Sequence, residues 1–277
     1  MDHPLGRALA AIDGWGAEHV AAAVIGPGGV ISSHGDLDRR FRWASVTKLV
    51  TALAVLDAVE DRVIDLDEPA GPPGATVRHL LAHASGLPFE GEQVLAEPGT
   101  RRIYSNPGFD RLGALLAQRD KAPAGAAVRR RILNPLGMTR TELVTRASEG
   151  LHGTLGDLAA FAQELIRPTL VTRTTLDLAT QTAFPGLVGV LPGIGRFDPL
   201  DWGLGFELRD GKAPHWTGNH NSPTTFGHFG GAGGFLWVDP TLDRALAVLT
   251  DRDYGAWALE AWPGLSDDVI AGLTAPG

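Results

Sequence analysis

One segment constrains this chain more than any other. Ala44 to Glu60 reads ASVTKLVTALAVLDAVE, with apolar residues at Val46, Leu49, Val50, Leu53, Val55, Leu56 and Val59. The spacing is helical, yet these positions cover most of the helix surface rather than one stripe. Such a helix must be buried on most of its sides, so the rest of the chain has to wrap it. The 277 residues are enough to do so, as one large or two small domains with a substantial core.

The flanking segments indicate what does the wrapping. Leu5 to Trp15 reads as a short amphipathic helix, and Val20 to Gly35 (VAAAVIGPGGVISSHG) as two apolar strands around Gly26-Pro27-Gly28-Gly29. Between Pro69 and Gly195 run short helical segments broken by Pro and Gly: TVRHLLAHAS, NPGFDRLGALLAQ, APAGAAVRRRIL and GDLAAFAQELI. After Asp201 the pattern turns to short apolar runs, WGLGFEL, TFGHFG, GGFLWVD and RALAVLT, and then to a helical stretch near Ala261 to Leu273. The predicted fold is α+β: an antiparallel β-sheet built from both chain ends, flanked by terminal helices, with a mostly helical lobe inserted. Residues 1–277 are expected to form a single two-lobed catalytic domain, an α/β lobe of about 1–43 plus 200–277 and a helical lobe of about 44–199. The chain carries no internal repeat, low-complexity tract or long linker.

Composition narrows the partners. Hydrophobic residues make up 44% and charged residues 20%, the balance of a packed body rather than a disordered or fibrous one. The 24 Lys and Arg against 32 Asp and Glu leave a net charge of −8, so no global positive field draws in nucleic acid or anionic lipid. The expected partner is a small-molecule substrate, with neither nucleic acid nor membrane. Zero cysteines exclude disulfides, thiolate metal sites and a thiol nucleophile. The N-terminal stretch holds no apolar run longer than Ala8 to Ile12, and no segment approaches a membrane span; the expected location is the cytoplasm.

Three constellations carry candidate chemistry. Ser45 and Lys48 open the apolar helix, and residues three apart share a helix face, so the two side chains can touch. A lysine at a helix N-terminus among apolar neighbours loses hydration and opposes the helix dipole, and both effects lower its pKa toward that of a base. A neutral amine beside a hydroxyl makes a nucleophile. The plainer alternative makes Ser45 an N-cap and Lys48 a solvated flank. Composition weighs against it, because only three basic residues are lysines (Lys48, Lys121, Lys212) and arginine cannot serve as a base near neutral pH.

The second constellation is Tyr104-Ser105-Asn106, just before a helix starting near Pro107. A phenol beside an ammonium has its phenolate favoured and can relay protons, while the Asn106 amide can bind a substrate carbonyl and Lys48. The alternative is a packed loop tyrosine with Asn106 as an N-cap. The third is His228 on a strand followed by Gly230, Gly231, Gly233 and Gly234, where glycines admit a substrate to backbone N–H groups. A tight hairpin with a structural histidine is the alternative there.

Taken together and in order, Ser45-Val46-Thr47-Lys48, Tyr104-Ser105-Asn106 and His228-Phe229-Gly230 resemble the S-x-x-K, Y-x-N and [KHW]-x-G motifs of the serine β-lactamase and penicillin-binding protein superfamily, in its class C β-lactamase-related branch. HLLAHASGLP (His79 to Pro88) and PGTRRIYSNPGF (Pro98 to Phe109) look like that family's surroundings of the second motif. The resemblance runs from about Val20 to Val248. It implies a β-lactamase/transpeptidase-like fold without cofactor and an acyl-enzyme mechanism. Ser45 would attack a carbonyl, Lys48 and Tyr104 would share proton transfer, and Asn106 would orient the pair and the substrate. The backbone N–H groups of Ser45 and Gly231 would form the oxyanion hole, with Gly230 beside it and His228 binding substrate and tuning the Tyr104 proton. Which of Lys48 and Tyr104 is the base stays open at this level.

Two departures shape the expected substrate. His228 stands where many lactamases carry Lys, and Phe229 where carboxylate-binding members carry Thr or Ser. A pocket lacking that ammonium and hydroxyl holds a carboxylate less well, which favours a β-lactamase-like esterase acting on a small ester or amide. The alternatives are a D-alanyl-D-alanine carboxypeptidase or β-lactamase, and a non-hydrolysing, acyl-accepting penicillin-binding receptor. The short segment between Pro88 and Pro98 predicts an open acyl pocket. A metal site drawn from His79 and His83, or from His215, His220 and His228, ranks well below, since HLLAH lacks the glutamate of a zincin and no carboxylates group nearby. Neither GPGG nor GGAGG fits a nucleotide-binding loop.

Overall fold

A computed structural model of the chain describes residues 4–274, so the outermost residues of the expected domain span lie outside it. Helix α1 (Pro4–Ala10) passes through a 3-10 turn (Ala11–Trp15) into strands β1 (Val20–Gly26), β2 (Gly29–His34) and β3 (Arg40–Arg42). A second 3-10 turn (Ala44–Val46) opens α2 (Thr47–Glu60), followed by α3 (Val77–Leu81), β4 (Arg102–Ile103) and α4 (Asn106–Asp120). Next come α5 (Ala124–Val128), a π-helical turn (Arg129–Leu133), β5 (Glu142–Leu143), β6 (Leu151–Thr154), α6 (Leu155–Ile166) and α7 (Arg173–Ala179). The chain ends in β7 (Gly189–Leu191), β8 (Gly195–Phe197), β9 (Glu207–Leu208), β10 (Phe226–Phe229), β11 (Phe235–Asp239), β12 (Arg244–Thr250) and α8 (Ala256–Thr274).

The six-stranded sheet has the order β2-β1-β12-β11-β10-β9 and is antiparallel throughout. Both chain ends build it, as expected, and strand alternation divides its side chains between two cores. Ala22, Val24, Trp237, Leu246 and Val248 pack against Leu5 and Leu9 of α1 and Trp262 and Val269 of α8. Ala21, Ala23, Ile25, Leu236, Val238, Ala247 and Leu249 point the other way, into a cluster with α2 and α6. α2 is buried along nearly its whole length, which its all-round apolar pattern requires.

The structure departs from the sequence reading at four places. The helical stretch from Ala44 divides into a 3-10 turn and an α-helix. The final helix begins at Ala256 rather than near Ala261, because Pro263 is accommodated inside it. Proline cannot donate to the Leu259 carbonyl, but Leu259 lies on the exposed side where water can. Short strands stand in the helical middle, forming the small sheets β3-β6-β5 and β4-β7-β8. Finally, α6 packs on β1 and β12, so it covers the large sheet. No helix among the described residues is long and apolar enough to cross a membrane.

Candidate active site

The turn that carries Ser45 is held from both sides. The Trp43 N–H donates to the Leu151 carbonyl at 2.9 Å, and the Trp43 carbonyl accepts from Val46 at 3.1 Å, closing the 3-10 turn. Between them Ala44 has a φ of 44°, a left-handed conformation that strains a residue with a Cβ. Gly230, just past β10, lies against this turn: a Cβ there would stand 2.5 Å from the Trp43 carbonyl oxygen and 3.2 Å from the Ser45 nitrogen. Only glycine allows the two segments to approach so closely. The Ser45 hydroxyl is left half-buried at the wall of a cavity.

Lys48 follows one helical turn later and is fully buried. Its Nζ lies 3.2 Å from Ser45 Oγ, 2.6 Å from Asn106 Oδ1 and 2.9 Å from the Ser148 carbonyl oxygen. It also sits over the rings of Tyr104 and Phe109, 4.8 and 5.6 Å from their centroids. Burial lowers its pKa to about 7, although Glu149, Asp110 and Glu90 pull the other way. The alternative of a solvated flank is therefore excluded.

Tyr104 and Asn106 arrive from the end of β4 and the start of α4. Ser105, not Asn106, caps this helix, its hydroxyl accepting from Gly108 at 3.1 Å. The Asn106 side chain is thus free to bridge Lys48 and Glu90, donating to the Glu90 carboxylate at 2.7 Å. That donation identifies which end of the amide is oxygen and turns it toward Lys48. Tyr104 is buried among aromatic rings, stacked on Phe89 at 5.6 Å and near His83 at 4.4 Å. Here one expectation is corrected: burial, not a neighbouring cation, governs this phenol and pushes its pKa well above the usual tyrosine range, while a hydrogen bond with Ser45 opposes the shift. Tyr104 is a neutral phenol at physiological pH, not a phenolate.

His228 lies on β10 with both ring nitrogens engaged. Nδ1 is 2.6 Å from the Phe229 carbonyl, which only accepts, so Nδ1 carries the proton. Nε2, 3.3 Å from the Tyr104 hydroxyl, must then accept. Burial and the nearby Lys48 lower the imidazole pKa to about 3, against the Phe229 hydrogen bond and Glu207, so the ring stays neutral. The cavity in front of these groups holds about 350 Å³ and is bordered by Ser45, Tyr104, Asn106, His228 and Gly231, with Phe89, Glu90 and Glu149 at the rim.

The structure therefore brings Ser45, Lys48, Tyr104, Asn106, His228, Gly230 and Gly231 to one place. Several neighbours escaped sequence reasoning. His83 accepts the Ser105 N–H at 3.0 Å and braces the Tyr104 ring, with its own φ at 54°. Arg146 pairs with Glu90 at 3.1 Å and with Asp110 at 2.6 Å, steadying the carboxylate that orients Asn106. Two of the histidines considered for a metal are engaged elsewhere: the His79 Nδ1 closes the capping box with Thr76, and His215 binds Glu207 and Thr217 inside the protein.

Comparison with known proteins bears on the family and the fold. Residues 13–269 match the model of the family described as Beta-lactamase. A crystal structure of a beta-lactamase from Mycobacterium bovis superposes with a TM-score of 0.95 at 52% identity, covering 97% of this chain and 100% of that one. The D-alanyl-D-alanine-carboxypeptidase/endopeptidase AmpH of Escherichia coli (strain K12) is 24% identical, over 80% of this chain and 71% of its own. Esterase EstB of Burkholderia gladioli is 29% identical over 40% of each chain.

Proposed function

Since the chain belongs to the beta-lactamase family, we propose that it is a serine hydrolase that works through an acyl-enzyme on Ser45 and favours small esters over carboxylate-bearing β-lactams. The observation that carries this reading is the environment of Lys48. A neutral amine has two N–H donors and one lone pair. Asn106 Oδ1 and the Ser148 carbonyl take the two donors, and the lone pair is left facing Ser45 Oγ at 3.2 Å. With a pKa of about 7, a large fraction of Lys48 is neutral at physiological pH. Lys48 is thus the base that takes the Ser45 proton during attack.

Tyr104 serves a complementary purpose. Its single O–H, accepted at rest by neutral His228, is the proton that turns to the departing group, and the proton Lys48 took from Ser45 then restores the phenol, so the step leaves no phenolate in this buried site. The carbonyl oxygen would sit against the backbone N–H groups of Ser45 and Gly231, a pairing supported by the closeness of Gly230 to the Ser45 turn. Asn106 then faces the substrate beside Lys48. No residue in this assembly supplies the fixed positive charge that a carboxylate beside the scissile bond would need, because His228 is neutral and Phe229 has no hydroxyl. Glu90 and Glu149 at the rim add negative charge there.

A second reading, D-alanyl-D-alanine peptidase or β-lactamase action, is favoured by the likeness to AmpH and to the mycobacterial beta-lactamase. Intact-protein mass after exposure to an activated aryl ester and, separately, to benzylpenicillin decides between them, with S45A as control. Rapid ester turnover that needs Ser45, with slow or no penicillin turnover, is the expected result. Fast penicillin hydrolysis would favour the second reading, and a penicillin adduct that persists for hours would point to an acyl-accepting receptor. Product release by S45A would overturn the nucleophile assignment.

A further inference from the structure

A second cavity of about 380 Å³ adjoins the first, and the two share Phe89 and Tyr104 as a common wall. Its floor is the small sheet β4-β7-β8, in which Ile103 pairs with Val190 and Val190 with Arg196. Registered partners in a sheet point to the same side, so Ile103, Val190 and Arg196 share one face. Arg101, two residues before Ile103, borders the same cavity, while Arg102 between them turns inward and donates to the carbonyls of Ala82, Ala183 and Leu200. The cavity is apolar and open, with Phe89 51%, Leu95 55% and Val190 55% exposed.

The side chains of Arg101 and Arg196 have no hydrogen bond, ion pair or ring contact among the described residues. They stand in contrast to Arg40 and Arg42, which are exposed yet pair with Glu142 and Asp253. Two strand spacings across the sheet and two residues along it, about 12 Å in all, separate the backbones that carry them, a span that two long guanidinium side chains can close on one anion. At the nucleophile the rim charges are Glu90 and Glu149, both held by Arg146. Arg146 offsets one of these two charges, so the unpaired cations of the combined cleft lie at its far end, away from Ser45.

We propose that this annex is a subsite for one arm of the substrate, an apolar stem of several carbons ending in a carboxylate that Arg101 and Arg196 receive. The inference rests on the serine hydrolase reading above and assigns its substrate class: an ester with an anionic group remote from the scissile bond. A carboxylate adjacent to the reacting carbonyl meets the acidic rim instead. Stem carbons lie on Phe89, Leu95, Ile103 and Val190, where burial favours them in proportion to area.

The test compares matched esters in wild type, R101Q/R196Q and S45A. On the acyl side the pair is 4-nitrophenyl hexanoate and the 4-nitrophenyl half-ester of adipic acid; on the alcohol side it is phenyl acetate and 4-(carboxymethyl)phenyl acetate. The quantity read is the ratio of kcat/KM for the anionic member to that for the neutral one. In one of the two pairs this ratio should fall about 3- to 10-fold in R101Q/R196Q, the size expected of two exposed ion pairs. The wild-type ratio in that pair should also shrink in 1 M salt. Turnover that requires Ser45 but shows the same ratios in R101Q/R196Q in both pairs overturns the subsite and leaves the hydrolase reading standing. Turnover that survives S45A overturns the hydrolase reading and the subsite with it.

Discussion

The Lys48 Nζ lies 2.6 Å from Asn106 Oδ1, nearer than it lies to Ser45 Oγ at 3.2 Å. The difference matters because the shorter contact is fixed from behind: Asn106 donates to Glu90, and Glu90 is held by Arg146. The amide oxygen has one orientation only, and it takes an N–H that would otherwise point at the serine. Burial lowers the lysine pKa, but this geometry decides where the resulting lone pair points.

The first prediction is a pH profile. Because the folded pKa of Lys48 is about 7 and the neutral form is the working one, kcat/KM should rise with pH and level off above an apparent pKa near 7. K48A should lose about 100- to 10,000-fold in kcat and with it the ionisation near 7. The linkage has the opposite sign from that of a stabilising charge. Below the folded pKa the ammonium is buried and the cost is complete; as pH rises from about 7 toward the unfolded value of 10.5, the cost is relieved. K48M should therefore gain thermal stability relative to wild type at pH 6 and lose that advantage by pH 10, as a series of melting curves would record. An activity limb that stays near 7 in K48A would assign the base elsewhere.

The second prediction concerns Tyr104 and His228. Y104F and K48A should each lower kcat strongly, while the double variant should be little worse than the weaker single one, because both serve one proton path through Ser45. Additive losses would separate them. H228A removes the acceptor of the Tyr104 hydroxyl, so kcat should fall roughly 10-fold or less, within the range of one lost hydrogen bond. H228Q, whose amide oxygen can accept the same proton, should recover part of that loss, whereas a general packing defect would not be rescued.

What the sequence disclosed and what it hid divide along chain separation. Ser45 and Lys48 are one helical turn apart, and Tyr104 and Asn106 are two residues apart, so their patterns are local and readable. His83 meets Ser105 across 22 residues and Lys48 meets the Ser148 carbonyl across 100, and neither TRASEGLHG nor HLLAHAS carries a pattern that announces it. A backbone carbonyl has no residue identity to read at all. The same holds for the fold. β1 and β12 are buried on both faces, so their runs VAAAVIG and RALAVLT are evenly apolar and stand out as strands. β4 and β5 are two residues long, too short to show an alternation, and exist only because another strand pairs with them, which is why the helical middle reads as helix alone.

The third prediction follows from Gly230. A methyl group at that position would meet the Trp43 carbonyl at 2.5 Å, and this contact is backbone, which cannot swing aside. G230A should push the Ser45 turn outward and lower kcat on the order of 100-fold, the cost of displacing a reacting group by about 1 Å. G231A meets no protein atom within 4 Å, so it should leave the Ser45 turn in place and lose less than G230A, with a loss that grows with substrate bulk because Gly231 borders the cavity. Equal losses in the two would show that the effect comes from the loop's flexibility rather than from close packing against the nucleophile.

The last prediction separates stability from catalysis. Glu207 is buried on β9 with Lys212 at 3.0 Å, His215 at 3.0 Å and the Trp216 indole N–H at 2.9 Å. Burial alone would raise its pKa, but the charges and hydrogen bonds of His215 and Lys212 outweigh it and hold the carboxyl at about 2. The folded value is depressed, so the carboxylate stabilises the fold fully above its unfolded pKa of 4.5, and that contribution drains away as pH falls from 4.5 toward 2. E207Q keeps the shape of the side chain but leaves the Lys212 ammonium buried without a counter-charge, at a cost of about 3 to 5 kcal/mol near neutral pH. Denaturant unfolding of wild type and E207Q at pH 7 and at pH 3 measures this directly. The gap between them should be wide at pH 7 and narrower at pH 3, where the wild-type carboxylate has lost part of its advantage; a gap that does not change with pH would mean that the glutamate acts by packing and not by charge.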